Sequence, residues 1–440
     1  MAPTDSASKP SQPLFPRLSG GPRRMPANRV AEHQKARLEG AMVEAVARHG
    51  YAGTTLRELV GLAGVSKSTF YEHFDSKQDC FLQTFDEIVT ILGARVGEAW
   101  RTDGDFRGRL VAALTAFMNI AVEEPNAAAL AAVESLTLGA AGVAHRERAS
   151  AAFEALVQQS FDHSPAPHQV SPVIVRAIVS GIRGVAYRRL RNGRAEELPK
   201  LVEPLIDWAL SYQQPDSEIV ARAVAAAEAP SGATLDAEDG KPDWEEPPDS
   251  ALSKTTLTQR ERIVRAAARV VVERGYEALS IPAISAAAGT SNQTFYEHFD
   301  SKRDAFLAAF EIIAGEAFAF AFSAFQAAGD GPEAVGAGLR ALTEHIAGNR
   351  IFARLAFFEL PTAGPAALDR ADAIMDSFTA FVGPDSAPAG IGRPAQPTVM
   401  EAIGTGIWSV IQHEIAHDRA DSLPHLAPEL VRIALDPLGK

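Results

Sequence analysis

Between residues 30 and 50, VAEHQKARLEGAMVEAVARHG spaces its apolar residues at helical intervals, with Leu38, Ala41, Met42, Ala45 and Val46 on one face. The run stops at Gly50. Thr55-Leu-Arg-Glu58 then has the pattern of a capping box and opens a second helix that runs to Ala63. Gly64 supplies a left-handed turn, and Ser66 caps a third helix, KSTFYEHF. Ser76-Lys-Gln-Asp79 is another capping box, at the head of a long amphipathic fourth helix. Two short helices joined by a three-residue turn with Gly make the helix-turn-helix pattern. No stretch alternates as a strand would, so the chain reads as all-α.

The pattern then recurs. TFYEHFDSK occupies Thr69 to Lys77 and, letter for letter, Thr294 to Lys302, 225 positions later. The same offset maps Gly50-Tyr51 onto Gly275-Tyr276, Gly64 onto Gly289 and Phe85 onto Phe310. Further along it maps Leu130 onto Leu355, Glu134 onto Glu359, Ile182 onto Ile407 and Leu198-Pro199 onto Leu423-Pro424. Nearly constant register over about 190 residues is too long a unit for a solenoid and means two copies of one whole protein. In the second copy Ser280 caps a helix that tolerates Pro282 in its first turn, Gly289 turns, and Ser291 to Phe299 form the third helix.

Charge refines this picture. The net charge of −13 would disfavour a polyanionic partner if it were spread evenly. It is not: residues 214–253 hold ten acids against Arg222 and Lys241 and read as a solvated acidic linker. Its middle, IVARAVAAAEA, has the composition of a short helix. As a coil, a connector of this length spans on the order of 35 Å and keeps the second copy at millimolar effective concentration. The stretches around the two nonapeptides are slightly basic, with seven basic and six acidic residues in 29–78 and eight and five in 254–303. Residues 1–28 are rich in Pro, Gly and Ser and read as a disordered arm that turns basic at Arg23 and Arg24. The arm has no apolar signal-peptide core, and no run of 18 apolar residues suggests a membrane span. The single Cys80 rules out an intramolecular disulfide and fits a cytoplasmic location.

Both copies resemble TetR-family transcriptional regulators. The G-(V/T)-S-x-x-T-F-Y-E-H-F-D-S-K-x-D-x-F-L pattern after a helix carries the resemblance, which covers nearly the whole chain apart from arm and linker. It implies, for each copy, a three-helix DNA-binding domain (29–78 and 254–303) followed by a helical ligand-binding and dimerisation domain (79–213 and 304–440). The family's usual form is a homodimer of such units. Here one chain carries both halves, which predicts an intramolecular pseudo-dimer. The implied partners are a double-stranded DNA operator and a small apolar or amphipathic effector, and the implied function is a repressor relieved by that effector. No cofactor or metal is implied.

The chemistry of the motif agrees with DNA contact. Hydroxyls, Lys and Tyr at the start of a helix reach base edges and phosphates. Ser66, Lys67, Ser68 and Thr69 stand there in copy one, and Ser291, Asn292, Gln293 and Thr294 in copy two. Tyr71, His73 and Lys77, with Tyr296, His298 and Lys302, read as phosphate clamps, and Phe70, Phe74, Phe295 and Phe299 as packing residues. Lys suits guanine acceptors, whereas Asn and Gln pair bidentately with adenine. Arg57, at a position that reaches a base in the family, is matched by Pro282. The clamp is kept and the reader is changed, which predicts a non-palindromic operator.

Two further features compete for attention. His413-Glu414-Ile-Ala-His417 matches H-E-x-x-H, the zinc-hydrolase pattern in which Glu is the general base, but its counterpart in copy one is Arg188-Arg-Leu-Arg-Asn192. A three-residue pattern arises easily by chance, so the chain reads as a regulator and not as an enzyme. The same contrast, Arg188, Arg189, Arg191 and Arg194 against His413, Glu414 and, one step on, Asp418 and Arg419, predicts that opposite charges pair copy one with copy two.

Overall fold

The computed structural model describes residues 27–101, 104–164, 169–214, 217–229, 258–329, 331–381 and 396–438. Among these every element is helical and none is a strand. Arg23, Arg24 and most of the acidic linker lie outside the described residues.

The first copy comprises α1 (Ala27–Gly53), α2 (Leu56–Ala63), α3 (Lys67–His73), α4 (Lys77–Trp100), α5 (Phe106–Glu123), α6 (Pro125–Ala132), a 3-10 turn (Glu134–Leu138), α7 (Gly139–Asp162), α8 (Pro172–Arg191) and α9 (Val202–Ser211). After them comes α10 (Glu218–Glu228). The second copy comprises α11 (Gln259–Arg274), α12 (Ile281–Ala288), α13 (Asn292–His298), α14 (Lys302–Ala327), α15 (Glu333–Gly348), α16 (Arg350–Arg354), a π-helical turn (Leu355–Glu359), a 3-10 turn (Leu360–Ala363), α17 (Pro365–Phe381), α18 (Pro397–Ala416) and α19 (Leu423–Leu435).

The described residues group into two compact units, one within Met1–Phe153 and Ala186–Ile206, the other within Glu154–Val185 and Asp207–Lys440. This division does not follow the sequence repeat, because α7 and α8 each give residues to both units.

In the first unit, α1, α2, α3 and α4 close on a core that includes Leu38, Met42, Leu59, Phe70, Phe74 and Phe81, all essentially inaccessible. Burying side chains of this size stabilises by about 1.5–3 kcal/mol each, which suffices to hold helices of seven and eight residues that would not form alone. One polar group breaks the pattern. Glu39, on the core face of α1, is 6% exposed, with Lys35 3.7 Å away, and burial raises its carboxyl to about 7. The matching residue of copy two is Val264, equally buried. Cys80 is buried and burial raises its thiol, as expected of a small packing residue.

In the second unit, α11 to α14 repeat the head, with Ile263, Val264, Ile284, Phe295 and Phe306 at its centre. The segment read as linker is not all coil: Val220, Ala223, Val224 and Ala227 of α10 are buried, and α10 packs on α15 and α19. A Cβ at Gly336 would lie 2.1 Å from the Ala223 carbonyl oxygen, so only glycine permits this approach. Arg222 pairs with Glu333 at 2.7 Å, and Arg340 donates to the Ala227 carbonyl. Helix α14 is long and apolar enough to cross a membrane by length and composition, contrary to the expectation from the sequence. It begins at Lys302 and buries Phe306, Phe310, Ile313 and Ala317 against other helices, as a core helix does.

Also within this unit, residues 172–185 of α8 cross α18, and these helices are matched by the 225-residue offset. A Cβ at Gly181 would lie 2.5 Å from the Ala402 carbonyl oxygen, and one at Gly406 would lie 2.8 Å from the Ala177 carbonyl oxygen. Gly181 corresponds to Gly406 and Ala177 to Ala402, so the contacts are reciprocal. The next pair repeats this relation: Gly184 approaches Thr405, while Ser409 donates to Ser180 at 2.8 Å. Small residues make this crossing. At the charged ends, Arg189 and Arg194 pair with Glu197, and Arg419 pairs with Glu414.

Candidate nucleic-acid interface

The turn between α2 and α3 is built as the sequence predicts. Gly64 has φ 60° and ψ 42°, the left-handed region that glycine enters without a Cβ clash, and Val65 N–H returns to the Val60 carbonyl at 3.0 Å. Gly289 has φ 62° and ψ 40°, with Thr290 N–H on the Ser285 carbonyl at 3.0 Å. An arginine reaches a carbonyl at each turn, Arg37 to Gly64 at 3.4 Å and Arg269 to Ala287 at 3.2 Å. The hydroxyls of Ser66 and Ser291 accept from the backbone N–H of Thr69 and Thr294 at 3.1 and 3.0 Å, so both serines serve as helix caps. Thr69 and Thr294 are half-buried, each with its hydroxyl 3.0 Å from the capping serine. Ser68 also reaches the Ser66 hydroxyl, at 2.7 Å.

This leaves an exposed row on each third helix. Lys67, Ser68 and Tyr71 face outward in copy one, and Asn292, Gln293 and Tyr296 in copy two. Tyr71 is 58% and Tyr296 59% exposed, although each adjoins a phenylalanine with no exposure at all. Edge-on contact with Phe70 and Phe295, centroids 5.4 and 5.7 Å apart, braces the rings and presents their hydroxyls outward. Arg57 is exposed in the first turn of α2, as is Pro282 at the matching place in α12. His73 lies half-buried with Nε2 3.5 Å from Gln34 Oε1, whereas His298 is exposed.

Lys77 and Lys302 are placed otherwise than a free phosphate clamp would be. Lys77 Nζ donates to the carbonyls of Tyr51 and Thr54 at 2.9 and 3.0 Å and lies 4.2 Å from the Tyr51 ring centroid. Lys302 Nζ donates to the Leu279 carbonyl at 2.7 Å and lies 4.9 Å from the Tyr276 ring centroid. Burial lowers the Lys77 ammonium below the usual lysine range. These carbonyls lie after the glycine at which α1 or α11 loses its helical backbone, and nothing in the local sequence announces that they come within reach. A carboxylate missed by the sequence reading meets the same turn: Glu134 accepts from Tyr51 N–H, and Glu359 from Tyr276 N–H, both at 2.9 Å.

The profile of bacterial regulatory proteins of the tetR family matches residues 40–84 and again residues 263–309. The chain carries the DNA-binding domain of the TetR family twice. Over 104 residues it is 36% identical to the HTH-type transcriptional activator FasR of Mycolicibacterium smegmatis, a match covering 23% of this chain and 47% of that protein. The chain thus spans about half the length of this relative. Among solved structures, the regulator FadR from Bacillus subtilis in complex with stearoyl-CoA is 16% identical, covering 40% of this chain and 97% of that one at a TM-score of 0.37. A TetR-like regulator from Rhodococcus sp. RHA1 is 18% identical, covering 43% and 99% at a TM-score of 0.36.

The H-E-x-x-H pattern has a structural account. Glu414 is buried at the end of α18, where its carboxylate accepts from Arg419 at 2.8 and 2.9 Å and from Ser422 at 3.1 Å. The bonds from Arg419 hold it below the usual carboxylate range, against the penalty of burial. A carboxylate so engaged closes a helix end and is a poor base for water.

Proposed function

We propose that the chain is a cytoplasmic, sequence-specific transcriptional regulator in which one chain acts as a pseudo-dimer on a non-palindromic operator. The observation that carries this reading is the reciprocal contact of α8 with α18, Gly181 on Ala402 and Gly406 on Ala177. A contact of matched residues across copies of one chain supplies what two chains supply in a homodimer. The exposed readers differ between copies, Arg57, Lys67 and Ser68 against Pro282, Asn292 and Gln293, while Tyr71 and Tyr296 are presented alike.

Occupancy of an operator that overlaps a promoter represses transcription, and an effector relieves it by favouring another arrangement of the heads. The named activity of FasR, an activator, is the second reading, in which the operator lies where a bound protein assists the polymerase. For the effector, the aromatic cluster of the second unit is the favoured place. Phe320 and Phe352 flank His345 at 5.5 and 6.3 Å, and Phe357 stacks on Trp408 at 4.0 Å. Buried beside these rings, His345 Nε2 and Asn349 Nδ2 have no hydrogen-bond partner among the described residues. An apolar or amphipathic molecule with an acceptor group suits such a lining.

Selection from random DNA tests the reading. The expected product is an asymmetric site, one half richer in guanine. Lys67→Ala relaxes specificity in that half alone, at a cost of about 1–3 kcal/mol, and Asn292→Ala does so in the other. Tyr71→Phe weakens binding to all sequences alike. A perfect palindrome as the preferred site contradicts differential reading.

A further inference from the structure

The joint between head and body has the same construction in both copies. Helix α1 loses its helical backbone at Gly50, where φ is 66° and ψ 170°, and Gly275 ends α11 with φ 80° and ψ 162°. A residue with a Cβ is strained at such φ, so glycine is what lets the chain turn there. The turn also frees the N–H of the next residue, Tyr51 or Tyr276, from the helix. A carboxylate from the regulatory part takes that N–H, Glu134 in the first unit and Glu359 in the second, each at 2.9 Å. Carbonyls of the same turn, those of Tyr51 and Thr54 or of Leu279, are held by Lys77 or Lys302 in the first turn of the helix joining head to body. A negative group sits on an N–H and a positive group on carbonyls, the arrangement that peptide dipoles favour.

The backbone that delivers the carboxylate differs between copies. Glu134 begins a 3-10 turn, whereas Glu359 ends a π-helical turn. The π-helical turn carries Phe357, which stacks on Trp408 and whose carbonyl accepts from Gln412 of α18 at 2.7 Å. Arg354 lies 3.5 Å from the outer oxygen of Glu359. One atom-level contact is thus reproduced from two different local structures, although the residues between the heads and these carboxylates diverge widely.

We propose that Glu134 and Glu359 are positioning residues for DNA binding: each carboxylate latches its head to its regulatory part by gripping the Tyr51 or Tyr276 amide. A rearrangement of the aromatic cluster or of α18 reaches head two through the π-helical turn and this latch. The inference rests on the DNA-binding reading above.

The test uses the full chain and the duplex that the unaltered chain selects from random DNA. Affinity and a hydroxyl-radical footprint resolved by half-site are measured, together with melting temperature. Glu134→Ala is expected to weaken binding about tenfold and to lose protection in the half-site of head one only, with Glu359→Ala doing the same in the other half. Glu134→Gln keeps an acceptor oxygen and is expected to recover most of the affinity. Where Glu134→Ala does not fold, Glu134→Asp, which keeps the charge but is one methylene too short, is expected to give the same one-sided loss. Full affinity with both half-sites protected in the Ala variants, or in Asp where Ala does not fold, overturns the latch. So does a Gln variant as weak as Ala. Failure of the unaltered chain to select any DNA overturns instead the DNA-binding reading on which the latch depends.

Discussion

Gly181→Ala should lower the melting temperature of the chain, although a helix interior normally gains about 1 kcal/mol from that exchange. The reason is the crossing of α8 with α18. The added Cβ would meet the Ala402 carbonyl oxygen at 2.5 Å and the Trp208 ring at 2.6 Å, distances at which something must move. Trp208 cannot swing away freely, because its indole N–H donates to Tyr212, whose hydroxyl donates in turn to the Ile433 carbonyl. Overpacking of this kind costs about 1–3 kcal/mol, enough to outweigh the gain in helix propensity. Gly406→Ala should act likewise through Ala177, and the double variant should lose less than the two losses combined, since the two sites share one contact. Gly93→Ala is the control. It lies inside α4 with nothing within 4 Å of the added carbon, and should raise the melting temperature. Calorimetry that finds Gly181→Ala as stabilising as Gly93→Ala would show that α8 and α18 do not close as described.

Glu39→Val should stabilise the first head by about 3 kcal/mol at pH 8 and by much less at pH 5. Burial raises the folded-state pKa of Glu39 from 4.5 to about 7, opposed by Lys35 and assisted by Glu87. Between those values the folded chain holds a proton that the unfolded chain has released. Stability therefore falls as pH rises through this window, and the loss is complete above about 7. Valine is the residue copy two already has at this place, 1% exposed, so the replacement fits a tested packing arrangement. Melting curves of both proteins at the two pH values check the prediction. Equal gains at both would assign the cost to shape instead of charge.

The heads were legible in the sequence down to single hydrogen bonds. Thr55, Ser66 and Ser76 cap the helices they were expected to cap, Gly64 and Gly289 adopt the left-handed turn, and the four phenylalanines of the repeated nonapeptides are buried. These features are local, set by residues three or four apart, and sequence patterns carry such information well. The partners of Lys77 and Lys302 were not legible, because Tyr51, Thr54 and Leu279 reach them only through the folding of the head. The close approach of α8 and α18 at Ala177, Ser180, Gly181 and Gly184 was not anticipated. That small-residue spacing is visible in the sequence but carries no charge to mark it. The packing of α10 likewise lay in plain view, since Val220, Ala223, Val224 and Ala227 recur at helical spacing within an acidic stretch that reads as solvated.

Stoichiometry tests the central claim most directly. Light scattering should be recorded on the chain alone and on its complex with the selected duplex. If α8 and α18 of one chain supply the pairing that two chains supply elsewhere, the free protein is a single chain and the complex holds one chain per duplex. A stable two-chain species, in solution or on one duplex, would contradict the single-chain pseudo-dimer.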